Sequence, residues 1–149
     1  MLKYNIIVSA NNNNIIGIRN DLLIECKDDL KRFYKITTQE YPEGKLNICI
    51  MGYNTWISIP DNAKPLKNRV NIVLTKNHAI RETEYLKVFL SLEDAFNWSL
   101  ENQKGKIFVI GGSSVLNQCL QDYKNNLDCI YLTRFENDYE SSDPDVKRF

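Results

Sequence analysis

Histidine is almost missing from this chain, with His78 the only one in 149 residues, and the four cysteines (Cys26, Cys49, Cys119, Cys129) form no Cys-x-x-Cys pair. A zinc centre needs clustered imidazole and thiolate ligands, so no metal site is expected. Cys49 and Cys129 sit within apolar strand patterns, where a free thiol behaves as a small hydrophobe. Cysteines spaced in this way predict reduced thiols in a cytoplasmic protein. Net charge is lacking too, because nineteen Lys and Arg residues balance nineteen Asp and Glu. Without a long-range field of one sign, neither nucleic acid nor an anionic membrane is an expected partner. No apolar run approaches the length needed to span a bilayer. Met1-Leu2-Lys3-Tyr4 passes directly into a strand pattern, which predicts no signal peptide.

What is present fits a globular domain. Hydrophobic residues make up 43% and charged residues 26% of the chain, and 149 residues suffice for one domain, 1–149, with a proper core. Ile6–Ala10 reads as a strand ending in the polar run Asn11–Asn14. Ile15-Ile16-Gly17 returns the chain to apolar contact, and Arg19-Asn20-Asp21 reads as a surface turn. From Asp29, the series Leu30, Phe33 and Ile36–Thr37 follows helical spacing, with Pro42 and Gly44 marking the exit. Strands follow at Ile48–Met51, Val70–Thr75, 86–89 (as an edge), Lys106–Ile110 and Cys129–Thr133. Helices are predicted at Thr55–Ile59, at Ser113–Gln121, and from a cap at Ser91, with Leu92, Ala95, Phe96 and Leu100 along one face. Short apolar strands alternating with helices predict an α/β fold, a largely parallel sheet covered on both faces.

Two strand–glycine–helix junctions stand out. In the first, Asn47–Met51 runs into Gly52 and a short helix carrying Thr55 and Trp56. In the second, Ile107–Ile110 runs into Gly111-Gly112 and the helix from Ser113. Glycine lets backbone approach a ligand closely, and a helix N-terminus favours an anion such as a pyrophosphate. The alternative is a tight turn with no ligand. Asp29 has two readings as well. Four residues before Phe33, it projects from the face that carries the apolar stripe, where desolvation raises a carboxyl's proton affinity and suits it to bind a polar heterocycle. It can equally be a first-turn acid that stabilises the helix dipole, a job open to Asp28 too. Arg69, just before a strand, reads by itself as a solvated loop residue. Trp56 and Trp98 read as packing.

In this order, these segments resemble dihydrofolate reductase over residues 4 to about 135. The resemblance implies a three-layer sandwich with a central, mostly parallel twisted sheet. It implies reduction of 7,8-dihydrofolate to tetrahydrofolate with NADPH, NADH not excluded, in support of one-carbon metabolism and thymidylate synthesis. After Ile16-Gly17, the acid Asp29 would be the catalytic group, binding the pyrimidine edge and assisting protonation of the pterin. Ile7, Val8, Leu30, Phe33, Leu66, Arg69 and Thr133 would contact substrate, with Arg69 on the carboxylate of its glutamate tail. Ser9, Ile16, Gly17, Gly52, Tyr53, Thr55, Thr75, Lys76, Gly111, Gly112, Ser113, Ser114 and Val115 match cofactor-binding positions.

Several positions depart from the family pattern. Leu23-Ile24 stands in place of Pro-Trp, Tyr53 and Leu90 in place of basic residues that meet a 2′-phosphate, and Leu116 in place of a tyrosine. After Phe135 the remaining residues are too few for the family's closing antiparallel hairpin, so that hairpin is expected to be missing. A fused reductase–thymidylate synthase is one parent for such a chain. Two rival functions follow from the departures. One is a weak or inactive nucleotide-binding module, and the other is a reductase of a different pterin or pyrimidine.

Overall fold

The computed structural model describes residues 2–10, 15–18, 21–22, 27–39, 45–76, 79–102, 105–134 and 146–148, with side chains at all of these except 10, 15–18, 21–22, 27–29, 133–134 and 146–148. Six strands form one sheet: β1 (Tyr4–Ala10), β4 (Asn47–Gly52), β5 (Arg69–Leu74), β6 (Leu86–Phe89), β7 (Ile107–Gly111) and β8 (Leu127–Arg134). Their order is β6-β5-β4-β7-β1-β8, and every neighbouring pair is parallel. A small second sheet joins β2 (Ile15–Ile18), β3 (Asp21–Leu22) and β9 (Val146–Arg148) in the order β3-β2-β9. The predicted edge strand at 86–89 is an edge, as the end position of β6 shows. The strands Ile6–Ala10, Ile48–Met51, Lys106–Ile110 and Cys129–Thr133 are each found within a residue or two of their expected bounds. Among the described residues, no helix is long and apolar enough to cross a membrane.

The alternation of a strand explains the two faces. Ile6, Val8, Ile48, Ile50, Val70, Ile72, Ile107 and Val109 point one way, and pack with Leu92, Ala95 and Phe96 of α3 (Leu92–Asn102) and with Val115, Leu116 and Cys119 of α4 (Ser113–Asp122). The intervening residues Cys49, Met51 and Val73 point the other way, towards Tyr53 and Trp56 of α2 (Tyr53–Ser58), with Leu66 and Ile110 beside them. A parallel sheet has no solvated face, so both residue sets are apolar. The helix α1 (Lys27–Thr37) lies on this second face, joined to β4 by Asn47 Nδ2, which donates to the Thr37 carbonyl at 3.0 Å.

Three expectations need correction. Leu100 is 42% exposed, and Ser99 is buried in its place. The stripe Leu92, Ala95, Phe96 continues at the seventh position rather than the eighth, and Ser99 Oγ settles its own polarity by donating to the Ala95 carbonyl at 2.8 Å. Cys129 is exposed rather than a buried hydrophobe, because β8 ends the sheet. Arg69 is inside β5 and only 4% exposed, so the solvated loop reading fails. The Ser91 cap holds, with its Oγ accepting from Asp94 N–H at 3.1 Å.

Candidate active site

Parallel strands all end on the same side, and here the chain reverses its course. From β4 it steps outward through β5 to β6, then returns to insert β7 between β4 and β1. Such a reversal leaves a crevice beyond the carboxyl ends of the central strands. Gly52 ends β4 and Gly111 ends β7. Their proximity can be gauged from what a β-carbon would meet. At Gly52 it would lie 3.2 Å from Val115 Cγ2 and 3.7 Å from the Gly112 nitrogen. At Gly111 and Gly112 it would lie 3.2 and 3.5 Å from Thr55 Oγ1. The structure therefore brings the two junctions together: Gly52 and Thr55 from one, Gly111, Gly112 and Val115 from the other.

Gly111 has φ +140, a conformation that L side chains rarely adopt, and a cis peptide bond joins it to Gly112. Helix α4 begins immediately afterwards, and Gly112 at its N-cap supplies no side-chain hydrogen bond to the first turn. Amide groups of Ser113, Ser114 and Val115 thus open the helix without a capping side chain. A ten-residue helix concentrates positive potential there. A cradle in which a β-carbon would crowd its neighbours, facing an uncapped helix, fits a phosphate-bearing cofactor.

Around this cradle, Thr75 follows β5 and is buried, and its N–H donates to the Phe89 carbonyl at 3.0 Å. That bond sets Thr75 and Lys76 beside Leu90, which is 64% exposed. Lys76 is exposed and Tyr53 half-buried against the second core face. Ser9 is half-buried near the end of β1, Ile7 and Val8 are buried on opposite faces of the same strand, and Gly17 lies in β2, paired with Leu22 and Lys147.

A second group forms on the α1 face. Arg69 Nε donates to the Lys67 carbonyl at 2.8 Å, and Nη1 donates to Thr37 Oγ1 at 2.9 Å. The rings of Phe33 and Tyr34 lie 5.7 and 5.2 Å from its guanidinium carbon. Asn68 holds Tyr34 in place, its Nδ2 donating to the phenol at 2.9 Å. Burial lowers the Arg69 pKa, because the charged form loses solvation. Beside it, burial pushes the Cys49 thiol up to about 12, only partly offset by the Arg69 charge. Among the described residues, no carboxylate is paired with Arg69. A desolvated cation held by neutral partners is a receptor for an anion.

Of the other expected residues, Phe33 is half-buried and Leu30 is 51% exposed on α1. Leu66 is half-buried, its N–H donating to Asn71 Oδ1 at 2.8 Å. Asp29 falls in the first turn of α1 and Thr133 in β8, opposite Ser9. The side chains of Asp29, Ile16 and Thr133, and all of Leu23-Ile24, Asn11–Asn14, Cys26, Pro42, Gly44 and His78, lie outside the described residues. The sequence reading of this site missed Asn47 and Tyr34, and had Thr37 only as a position on the helix that carries Asp29 and Phe33, without its contact to Arg69. Their roles are hydrogen bonds and ring contacts to partners distant in sequence, for which a single chain carries no periodic signal.

The family profile described as "Dihydrofolate reductase" matches residues 3–146. Dihydrofolate reductase of Sus scrofa is 35% identical over 144 residues, covering 92% of this chain and 75% of that one. The viral dihydrofolate reductase of Saimiriine herpesvirus 2 is 36% identical, covering 95% and 67%. A bifunctional dihydrofolate reductase–thymidylate synthase of Acanthamoeba polyphaga mimivirus is 32% identical over 96% of this chain and 26% of its own length. With the sheet order and the paired glycine junctions already in view, a match of this extent means that the chain belongs to the dihydrofolate reductase family.

Proposed function

We propose that residues 1–149 act as one reductase domain, which reduces 7,8-dihydrofolate to 5,6,7,8-tetrahydrofolate with NADPH. The observation that carries this reading is the meeting of Gly52, Thr55, Gly111, Gly112 and Val115 beyond the strand ends. The cofactor supplies a hydride from its dihydronicotinamide. This chain's residues bind and orient. The α4 N-terminus and the glycine cradle hold the pyrophosphate, with Ser113 and Ser114 offering donors. Ser9, Ile16 and Gly17 border the nicotinamide, while Thr75, Lys76 and Tyr53 meet the adenosine end.

Asp29 binds the pyrimidine edge of the pterin and assists protonation of the ring nitrogen beside the carbon that accepts hydride. Thr133 supports that acid. Ile7, Val8, Leu30 and Phe33 pack on the pterin, and Leu66 on the aromatic linker. The buried guanidinium of Arg69 takes the α-carboxylate of the glutamate tail in a forked pair. Preference for NADPH over NADH should be modest, since the exposed Leu90 adds no second cation to Lys76 for phosphate binding.

The test titrates the purified protein with NADPH, NADH and a folate-analogue inhibitor, then follows nicotinamide absorbance with dihydrofolate. Oxidation of NADPH on adding dihydrofolate is the expected result, with Asp29→Asn losing about 100-fold or more in turnover at neutral pH while the far-ultraviolet spectrum is unchanged. Binding without oxidation would overturn the reading in favour of a nucleotide-binding module. Oxidation indifferent to the tail would indicate a different pterin or pyrimidine substrate.

A further inference from the structure

β8 is the last strand of the main sheet, and among the described residues nothing pairs with its outer side. Its inner side is fully used, since every residue from Asn5 to Ala10 has a partner between Cys129 and Arg134. The outer side therefore presents a row of backbone N–H and C=O groups, a template for another strand. Side chains along it are bare on both faces. Asp128, Ile130 and Leu132 alternate onto one face and all three are exposed, the two apolar ones at 40% and 37%. On the other face Cys129 is exposed, and Tyr131 is half-buried against Phe108, with ring centroids 6.0 Å apart. Among the described residues, no ion pair involves Asp128.

The sequence of β8 complements itself when one copy is turned round. A twofold axis normal to the sheet pairs the strand antiparallel with a second copy and keeps each side chain on its own face. With the axis at Tyr131, Ile130 of each copy lies opposite Leu132 of the other, and Asp128 lies opposite Arg134. Four aliphatic residues then meet at the centre, and an acid–base pair closes each end of the same face. An axis at Ile130 instead sets Asp128 against Leu132, and an axis at Leu132 sets Ile130 against Arg134. Of these registers, the one centred on Tyr131 alone matches charge with charge and apolar with apolar. We propose that β8 is the interface of a homodimer, in which two copies join edge to edge about Tyr131 into one continuous sheet. The inference stands independently of what the cleft binds. A strand edge of eight residues buries little area, so association should be weak, with Kd on the order of 10 μM.

Sedimentation of the full chain between about 1 and 200 μM should show a monomer–dimer equilibrium. Asp128→Arg sets like charges opposite each other at both ends and should weaken dimerisation about tenfold or more. Arg134→Asp should do the same, and the doubly exchanged protein should return to within about threefold of wild type. Ile130→Lys brings two charges into the aliphatic centre and should leave only monomer. A cross-link reads the register separately. With Cys129 replaced by serine, Tyr131→Cys should give a disulfide dimer on oxidation, because facing residues lie about 4.5–5.5 Å apart at Cα. Wild-type Cys129 should not, as its two copies would sit about 14 Å apart along the paired strands. Should a charge variant not fold, the cross-link alone decides. A protein that stays monomeric throughout, its edge covered by its own chain or left bare, would overturn the proposal. So would assembly beyond the dimer, a dimer indifferent to the charge exchange, or cross-linking through Cys129 as fast as through Tyr131→Cys.

Discussion

Asn47 shows how much one polar side chain can decide in this molecule. It satisfies two carbonyls of the α1 exit and one amide before β7, and it dictates the residue that faces it. A β-carbon at Gly105 would crowd Asn47 Oδ1 and come within 3.0 Å of the Leu46 carbonyl, while Gly105 N–H donates to that carbonyl at 2.7 Å. Replacing Asn47 by alanine leaves three backbone groups without their partner, the Thr37 carbonyl in a buried place and the other two only part-buried. Asn47→Ala should therefore lower unfolding stability by about 3 kcal/mol, at the upper end for a buried partner removed, measured by urea denaturation. A change below about 0.5 kcal/mol would mean that water or a backbone shift restores those bonds. Arg69 belongs at this scale too. Its burial could not be read from Pro65–Arg69, because the loop composition resembles surface. What buries it is α1, thirty-odd residues earlier in the chain.

Elements were more legible than single contacts. The four described helices and the six strands of the main sheet follow from apolar periodicity, since burial of one stripe or one face is what makes each element stable. Ends were less legible, because backbone pairing extends β4 and β5 past their apolar runs, to Asn47 and Arg69. Both glycine junctions were legible as junctions, but their meeting was not, since it depends on β7 inserting beside β4. That meeting makes unequal demands on the glycines. Gly111 has φ +140 and a β-carbon there would press Thr55 Oγ1 at 3.2 Å, whereas Gly112 has φ −80 and room to 3.5 Å. Gly111→Ala should cost about 2 kcal/mol from backbone conformation alone. It should also weaken binding of the proposed nicotinamide cofactor about tenfold or more, because α4 starts two residues later. Gly112→Ala should cost under about 1 kcal/mol by the same urea measurement. Equal costs at the two positions would refute this account of the junction.

At the scale of the whole molecule, three weak acids among the described residues are held neutral inside the core. Burial pushes Tyr4 from 10.0 to about 12, and Cys49 and Cys119 from 9.0 to about 12. Tyr4 and Cys119 act together, since the phenol donates to the Cys119 carbonyl at 3.1 Å, whereas Cys49 lies on the opposite face. In the unfolded chain each group gives up its proton near its ordinary pKa, while the native state keeps it. The unfolded state then binds fewer protons, and stability must fall as pH rises. The contribution is complete below about pH 9 and disappears between there and about pH 12, at a limiting slope of about 1.4 kcal/mol per pH unit for each proton. Urea midpoints should thus decline progressively from pH 9 to pH 11. Cys49→Val removes one ionisable group at similar volume, so its decline should be shallower than that of wild type, while the two midpoints stay close at neutral pH. Identical slopes for the two proteins would show that the thiol reaches solvent before global unfolding, and that β4 opens locally at its Arg69 side rather than with the rest of the sheet.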